Sequence, residues 1–405
     1  MSESKWDARV RSRLADVIDG GRWRSPRQFD ARGPAGVLSD VRDQGGGVGP
    51  VVSFASNDYL GLSVHPAVTA AAGEALERWG AGSGASRLIT GSRPVHFALE
   101  RALAEWKGTE AAVCFPTGFA ANLGVLATLG GPDVRILSDE LNHASIIDGC
   151  RLSRSRVGIY RHCDMSHLEA LLEANDASTA TVVVTDTVFS MDGDVAPIER
   201  IAELCASYGA LLVVDEAHAV LGPVLGGEID SAGDGLTLVR VGTLSKTLGS
   251  MGGFVAASRN VIDLLVNLAR PYIFTTALTP ADAAAALAAV EVVQSNEGRE
   301  LTARLAALVE RVAGPGHPSP IIPVILGSEE RAQHASAALL EDGLWVPAIR
   351  PPTVPVGTSR LRVTLSAAHS DDEVARLCAA LAPFRASGPA ASGSPSPTAR
   401  AGAVR

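Results

Sequence analysis

Cysteine is scarce in this 405-residue chain, and its placement excludes the chemistry it most often signals. Cys114, Cys150, Cys163, Cys205 and Cys378 are odd in number and scattered, without a C-x-x-C pair, so neither a disulfide framework nor a zinc site is expected. No apolar run approaches the roughly 20 residues a membrane span requires. Met1 to Glu3 opens onto a charged helical stretch rather than a signal-peptide pattern, and the expectation is a cytoplasmic protein with no membrane partner. Positive charge is also short: a formal net charge of -9 argues against nucleic acid as a general partner, while leaving room for a local basic patch around an anionic cofactor. There is no internal repeat. What remains, 46% hydrophobic and 20% charged, can bury a large core and suits a main domain with a smaller one attached.

The pattern along the chain predicts an N-terminal arm over residues 1–50, a large domain over 51–290, a small domain over 291–385 and a disordered Ala/Gly/Ser/Pro-rich tail over 386–405. Between residues 111 and 258, β-type runs at 111–115, 134–138, 157–161, 181–185, 211–215, 236–241 and 254–257 alternate with helical stretches. Such alternation predicts an α/β fold with a mainly parallel seven-stranded sheet covered by helices. Beyond residue 280 an Ala-rich helix leads to a smaller α+β unit, with strand-like runs at 321–326 and 361–365 and helices at 332–342 and 371–381.

The most informative segment is Thr243-Leu244-Ser245-Lys246, a lysine in a Gly/Ser/Thr-rich turn directly after an apolar strand. Pyridoxal phosphate (PLP) needs an amine for a Schiff base and small hydroxyl residues near its phosphate, and this turn holds both; a solvated loop lysine is the alternative. Upstream, the buried-strand pattern Leu211-Leu212-Val213-Val214 delivers Asp215 and His218 at its carboxyl end, where α/β sheets bind ligands. A carboxylate such as Asp215 would keep the pyridine nitrogen protonated, and His218 could hydrogen-bond the phenolic oxygen. Gly118 and Phe119 open a helix and could offer backbone N–H groups to a phosphate. His143 either stacks on a cofactor ring or caps a helix. Ser190 is either a cofactor partner or a turn residue, and Asp192 and Asp194 read as turn chemistry.

From about Leu14 to Leu381 the chain resembles the α-oxoamine synthases, PLP enzymes of fold type I. The stretches that carry the resemblance are Ser56-Asn57-Asp58-Tyr59-Leu60-Gly61-Leu62, Gly82-Ser83-Gly84-Ala85-Ser86-Arg87, Ser190-Met191-Asp192-Gly193-Asp194, Asp215-Glu216-Ala217-His218, Thr243-Leu244-Ser245-Lys246 and Arg350-Pro351-Pro352-Thr353-Val354-Pro355. The resemblance implies that Lys246 carries the cofactor, that Asp215 faces its pyridine nitrogen and His218 its phenolic oxygen, and that His143 stacks on the ring and supplies a proton. It further implies cofactor contacts for Ser190, Thr243 and the Gly118-Phe119 backbone. Asn57 and Arg350 would address the amino acid carboxylate, and Thr353 the acyl substrate. Arg24, with Arg22 nearby, best fits an arm arginine that contacts substrate in relatives. Phe274 stands where some relatives place a tyrosine that reaches the neighbouring subunit's phosphate, which hands that contact to Thr275 and Thr276. The Arg350 to Pro355 run leans towards the branch that condenses L-alanine with a pimeloyl thioester, on CoA or acyl carrier protein, in biotin biosynthesis. Branches using glycine or serine are the alternative, followed by a plain aminotransferase and a non-catalytic paralogue. Family members are homodimers with sites at the subunit interface.

Overall fold

The computed structural model describes residues 4–40, 47–176, 178–221 and 235–386; the tail expected to be disordered lies outside the described residues, apart from Ala386 at the end of the last helix. A helix over Lys5–Asp19 is followed by three strands, β1 (Arg27–Ala31), β2 (Ala35–Asp40) and β3 (Gly47–Ser53). The large sheet comprises β4 (Ala111–Phe115), β5 (Val134–Asp139), β6 (Arg156–Tyr160), β7 (Ala180–Asp186), β8 (Leu211–Asp215), β9 (Leu238–Thr243) and β10 (Gly253–Ala257), in the order β4-β10-β9-β8-β7-β5-β6. Strands β6, β5, β7, β8 and β9 pair in parallel, and β10 runs antiparallel to both of its neighbours. The seven strands are those expected from the pattern, with β9 displaced two residues towards its carboxyl end.

Burial explains why these segments are strands. Val182, Val183 and Val184 of β7 and Leu212, Val213 and Val214 of β8 are buried on both faces, as a sheet sandwiched between helix layers demands. One face packs on the helix Gly118–Leu129 through Ala121, Val125 and Leu126; the other packs on the helix Ile198–Tyr208 through Ile201, Ala202 and Cys205. Gly209, at φ 64°, ends that second helix in the left-handed conformation and turns the chain straight into β8. Each crossover therefore returns a strand whose carboxyl end opens on the same edge of the sheet.

The remaining strands are β11 (Ile321–Gly327), β12 (Leu344–Trp345), β13 (Ala348–Ile349) and β14 (Ser359–Thr364). β11, β14 and β13 form an antiparallel sheet. β12 pairs in parallel with β3, so the first fifty residues, read from sequence as an arm, contribute β1 and β2 to a four-stranded sheet that β12 completes. One hydrophobic cluster runs from Val52, Phe54 and Tyr59 through Leu244 and Leu248 to Leu361, Val363 and Leu381. Among the described residues, no helix is long and apolar enough to cross a membrane.

Candidate active site

The carboxyl ends of β7, β8 and β9 converge on one buried polar cluster. β8 ends at Asp215, whose carboxylate accepts from Asn122 Nδ2 at 2.7 Å and from the Ala217 N–H at 2.9 Å. Asn122 also donates to Ser145 Oγ at 2.9 Å, while its own carbonyl oxygen is buried without a hydrogen-bond partner. β7 ends at Asp186, which accepts from the His143 backbone N–H at 2.7 Å; burial, then repulsion from Asp215, push its carboxyl well above the usual range. Asp186 is thereby biased towards its neutral form, and Asp215 is the carboxyl group that Asn122 and the Ala217 N–H orient.

Lys246 lies in the tight loop after β9. Gly249 N–H donates to the Lys246 carbonyl at 2.9 Å and Leu244 N–H to the Gly252 carbonyl at 2.9 Å. Gly249, at φ 58°, passes so close to Ser63 that a Cβ would lie 2.2 Å from the Ser63 nitrogen, so only glycine lets this loop seat against the Leu62–Val64 turn. Lys246 Nζ is 2.8 Å from His218 Nε2, and His218 Nδ1 is 2.5 Å from Tyr59 Oη. Burial lowers the pKa of Lys246, with Asp215 and Asp186 opposing and Arg362 adding to the shift. Burial also holds His218 well below the ordinary histidine value, helped by Lys246 and Arg362, whereas it raises the Tyr59 phenol. A neutral imidazole has one donor and one acceptor nitrogen. His218 therefore bridges the Tyr59 hydroxyl and the Lys246 amine through its two ring nitrogens, donating through one and accepting through the other.

That arrangement makes a pH prediction. The folded chain rejects a proton that His218 binds when unfolded, so charging this histidine costs stability, increasingly as pH falls below its ordinary value of 6.5. His218→Asn should therefore lose less stability than the native chain between about pH 6.5 and 5 in urea titrations; parallel pH profiles would refute the buried neutral assignment.

Asn57 Oδ1 accepts from Tyr59 Oη at 3.1 Å and from Arg362 Nη2 at 3.2 Å. Arg362, on β14 and 6% exposed, also donates from Nε to the Ser190 carbonyl at 2.5 Å. His143 caps the helix Ala144–Ser153 and meets the Phe119 ring edge-on at 6.3 Å, so capping and facing the site are not exclusive; burial lowers its pKa. Thr243 Oγ1 lies 2.7 Å from Ser245 Oγ, and Gly118 approaches so closely that its Cβ would stand 3.2 Å from Thr243 Cβ.

The other expected residues lie further out. Arg350 donates to the Gly21 carbonyl at 3.1 Å and faces Glu329 at 3.7 Å, which ties the Pro351-Pro352 loop to the end of the arm. Arg24 and Thr353 are exposed, the latter with its N–H on the Arg350 carbonyl at 3.0 Å. Thr275 and Thr276 are exposed on a stretch that bridges to Ser86, and neither hydrogen-bonds the cluster. Tyr59, Asn122, Asp186 and Arg362 join the cluster without having been assigned roles from sequence. Two arginines, Arg360 and Arg362, in the fully buried strand β14 were the readable signal, because a buried guanidinium needs a partner.

The aminotransferase class I and II model matches residues 49–381. The chain belongs to this family. It is 50% identical over 378 residues to the 8-amino-7-oxononanoate synthase of Anaeromyxobacter dehalogenans, covering 88% of this chain and 94% of that one. A serine palmitoyltransferase structure with PLP superimposes with a TM-score of 0.83 at 30% identity, covering 94% of this chain and 97% of the other. The 8-amino-7-oxononanoate synthase of Francisella tularensis superimposes with a TM-score of 0.68 at 27% identity, over 83% and 97% of the two chains. These likenesses bear out fold type I and the resemblance to the α-oxoamine synthases.

The residues fit PLP on their own geometry. A buried lysine with a depressed pKa faces a buried histidine anchored by Tyr59, a carboxylate stands beside an unsatisfied amide oxygen, and a twelve-residue helix points its first turn, capped by Thr117, at the Thr243 hydroxyl.

Proposed function

We propose that this chain catalyses the PLP-dependent decarboxylative condensation of L-alanine with a pimeloyl thioester, on CoA or acyl carrier protein, giving 8-amino-7-oxononanoate, carbon dioxide and the free thiol carrier. The observation that carries the reading is 50% identity to an 8-amino-7-oxononanoate synthase across nearly the whole of both chains. Backbone likeness is greater to the serine palmitoyltransferase, but at 30% identity it speaks for the shared architecture rather than for the amino acid.

PLP, held through Lys246, supplies an electron sink for a bond broken at the amino acid Cα. Lys246, whose pKa burial lowers, would be the base that takes the Cα proton. Asp215, oriented by Asn122 and the Ala217 N–H, would hold positive charge at the pyridine nitrogen. His218, anchored by Tyr59, would hydrogen-bond the phenolic oxygen. The first turn of the helix Gly118–Leu129 receives the phosphate with Thr243, and His143 and Ser190 approach the ring. Buried Arg362 and half-buried Asn57 form the pair best placed for the substrate carboxylate, with Arg350 tied to the arm and Thr353 assigned to the acyl side. Holding that carboxylate still until the acyl group has transferred decides which bond aligns with the π-system and breaks. Arg24, Thr275 and Thr276 reach a site only if the arm closes or a second copy docks, which fits a homodimer; the exposed Phe97 and Phe274, covered by Arg87 and Arg270, suit such an interface.

Thiol release from pimeloyl-CoA is expected with alanine and not with glycine or serine. Release driven by glycine or serine instead would move the substrate to another branch. No release with any of the three, from either pimeloyl-CoA or pimeloyl-acyl carrier protein and with protein that binds PLP, would overturn the acyl-transfer reading.

A further inference from the structure

We propose that His162 is a positioning residue of the active site, a doubly anchored imidazole that locks the hairpin carrying Ser190 to the segment carrying His143. The proposal rests on the reading that those two residues face the cofactor. His162 follows β6 and lies outside the polar cluster around Lys246. Its Nδ1 is 3.0 Å from Asp139 Oδ1 and its Nε2 2.6 Å from Asp194 Oδ2, while its ring meets Phe189 edge-on at 4.3 Å.

The two carboxylates belong to different loops. Asp139 ends β5 and starts the turn to His143; its side chain also accepts from the Leu141 N–H at 2.9 Å and the Cys163 N–H at 3.0 Å. Cys163 holds φ 52°, a left-handed conformation that a non-glycine residue adopts at a cost, and the Asp139 contact secures it. Asp194 closes the Ser190 hairpin: its carbonyl accepts from the Phe189 N–H at 3.0 Å, and Val188 bridges Val195. The second oxygen of Asp194 has no hydrogen-bond partner, so His162 is the group that fixes this carboxylate.

The hairpin is otherwise pinned to the C-terminal sheet. Arg360 pairs with Asp192, Arg362 donates to the Ser190 carbonyl, and Ser319 Oγ donates to the Gly193 carbonyl at 2.6 Å. His162 supplies the opposing ion pair to the large sheet, so Ser190 is held between two bodies. Burial works against a charge on this ring, but the hydrogen bonds it donates to Asp139 and Asp194 outweigh it and raise its pKa to about 12. The clamp therefore stays cationic at any working pH. Asp139, His162 and Cys163 could also be read as a metal site. The sulfur is 3.7 Å from both ring nitrogens and so on neither lone-pair direction, both nitrogens are committed to carboxylates, and burial keeps the thiol protonated.

The test is PLP affinity, read by absorbance titration on protein stripped of cofactor and checked for native circular dichroism. His162→Gln and Asp194→Asn are each expected to weaken PLP binding about tenfold, the usual order for a group that orients ligating residues. The double variant should be no worse than His162→Gln alone, because both remove one clamp. Native affinity in both folded single variants, or losses that multiply in the double, would overturn the proposal. Should His162→Gln fail to fold, Asp194→Asn alone decides by the same criterion. Ser190→Ala separates the underlying reading: unchanged PLP affinity there would remove Ser190 from the site, while non-additivity of His162 and Asp194 would still establish the clamp, acting through His143.

Discussion

Lys246→Ala is expected to lower alanine-dependent thiol release by on the order of 10⁴-fold and to remove the visible absorbance of covalently held PLP. The chain has three lysines, Lys5, Lys107 and Lys246, so no substitute amine stands nearby. Lys5 lies exposed on the first helix, and Lys107 is committed to Glu216 at 2.6 Å. Burial leaves the Lys246 amine ready as nucleophile and base, and His218 orients it. Turnover near the native rate in the folded variant would sink the assignment of both roles.

Asp215→Asn should act on the other side of the cofactor. An amide in place of the carboxylate keeps the volume and one acceptor for Asn122 or the Ala217 N–H, but loses the charge that holds the pyridine nitrogen protonated. The expected result is a 10²- to 10³-fold slower exchange of the alanine Cα proton with solvent deuterium, roughly the cost of removing one preorganised electrostatic partner. PLP should remain bound through Lys246. Exchange at the native rate would show that some other group carries the charge, the nearest candidate being Asp186, whose pKa burial and Asp215 raise.

Much of the fold was legible because it is written in local periodicity. Strands β4 to β10 are short β-branched or alanine-rich runs bounded by turn residues, and a parallel sheet buried on both faces needs such runs. The start of β9 was misplaced because Leu236 extends the apolar run, although pairing with β8 begins only at Leu238. Strands β1 and β2 were invisible for a different reason. β1 is exposed at four of its five positions, so it carries no inward alternation, and its sheet is completed by β12 near the other end of the chain.

The site divides the same way. Lys246, Asp215 and His218 sit at strand ends, where position relative to a strand already implies a role. Tyr59 and Arg362 acquire theirs only through tertiary approach, one from the segment before the large sheet and one from the middle of β14. A tyrosine two residues after Asn57 looks like core, and Tyr59 is indeed fully buried; only its 2.5 Å contact with His218 reveals that it also anchors the site's imidazole.

The parallel pairing of β3 with β12 has a consequence for the order of synthesis. The large sheet has all its strands once Ala257 has been made, but β3 waits for Leu344 and Trp345, and Asn57 waits for Arg362. Closing loops of that length is slow. On the ribosome, the lysine and the acid proposed to act on the cofactor emerge long before the arginine proposed to hold the substrate, so on that reading the growing chain carries its chemistry before it carries its selectivity.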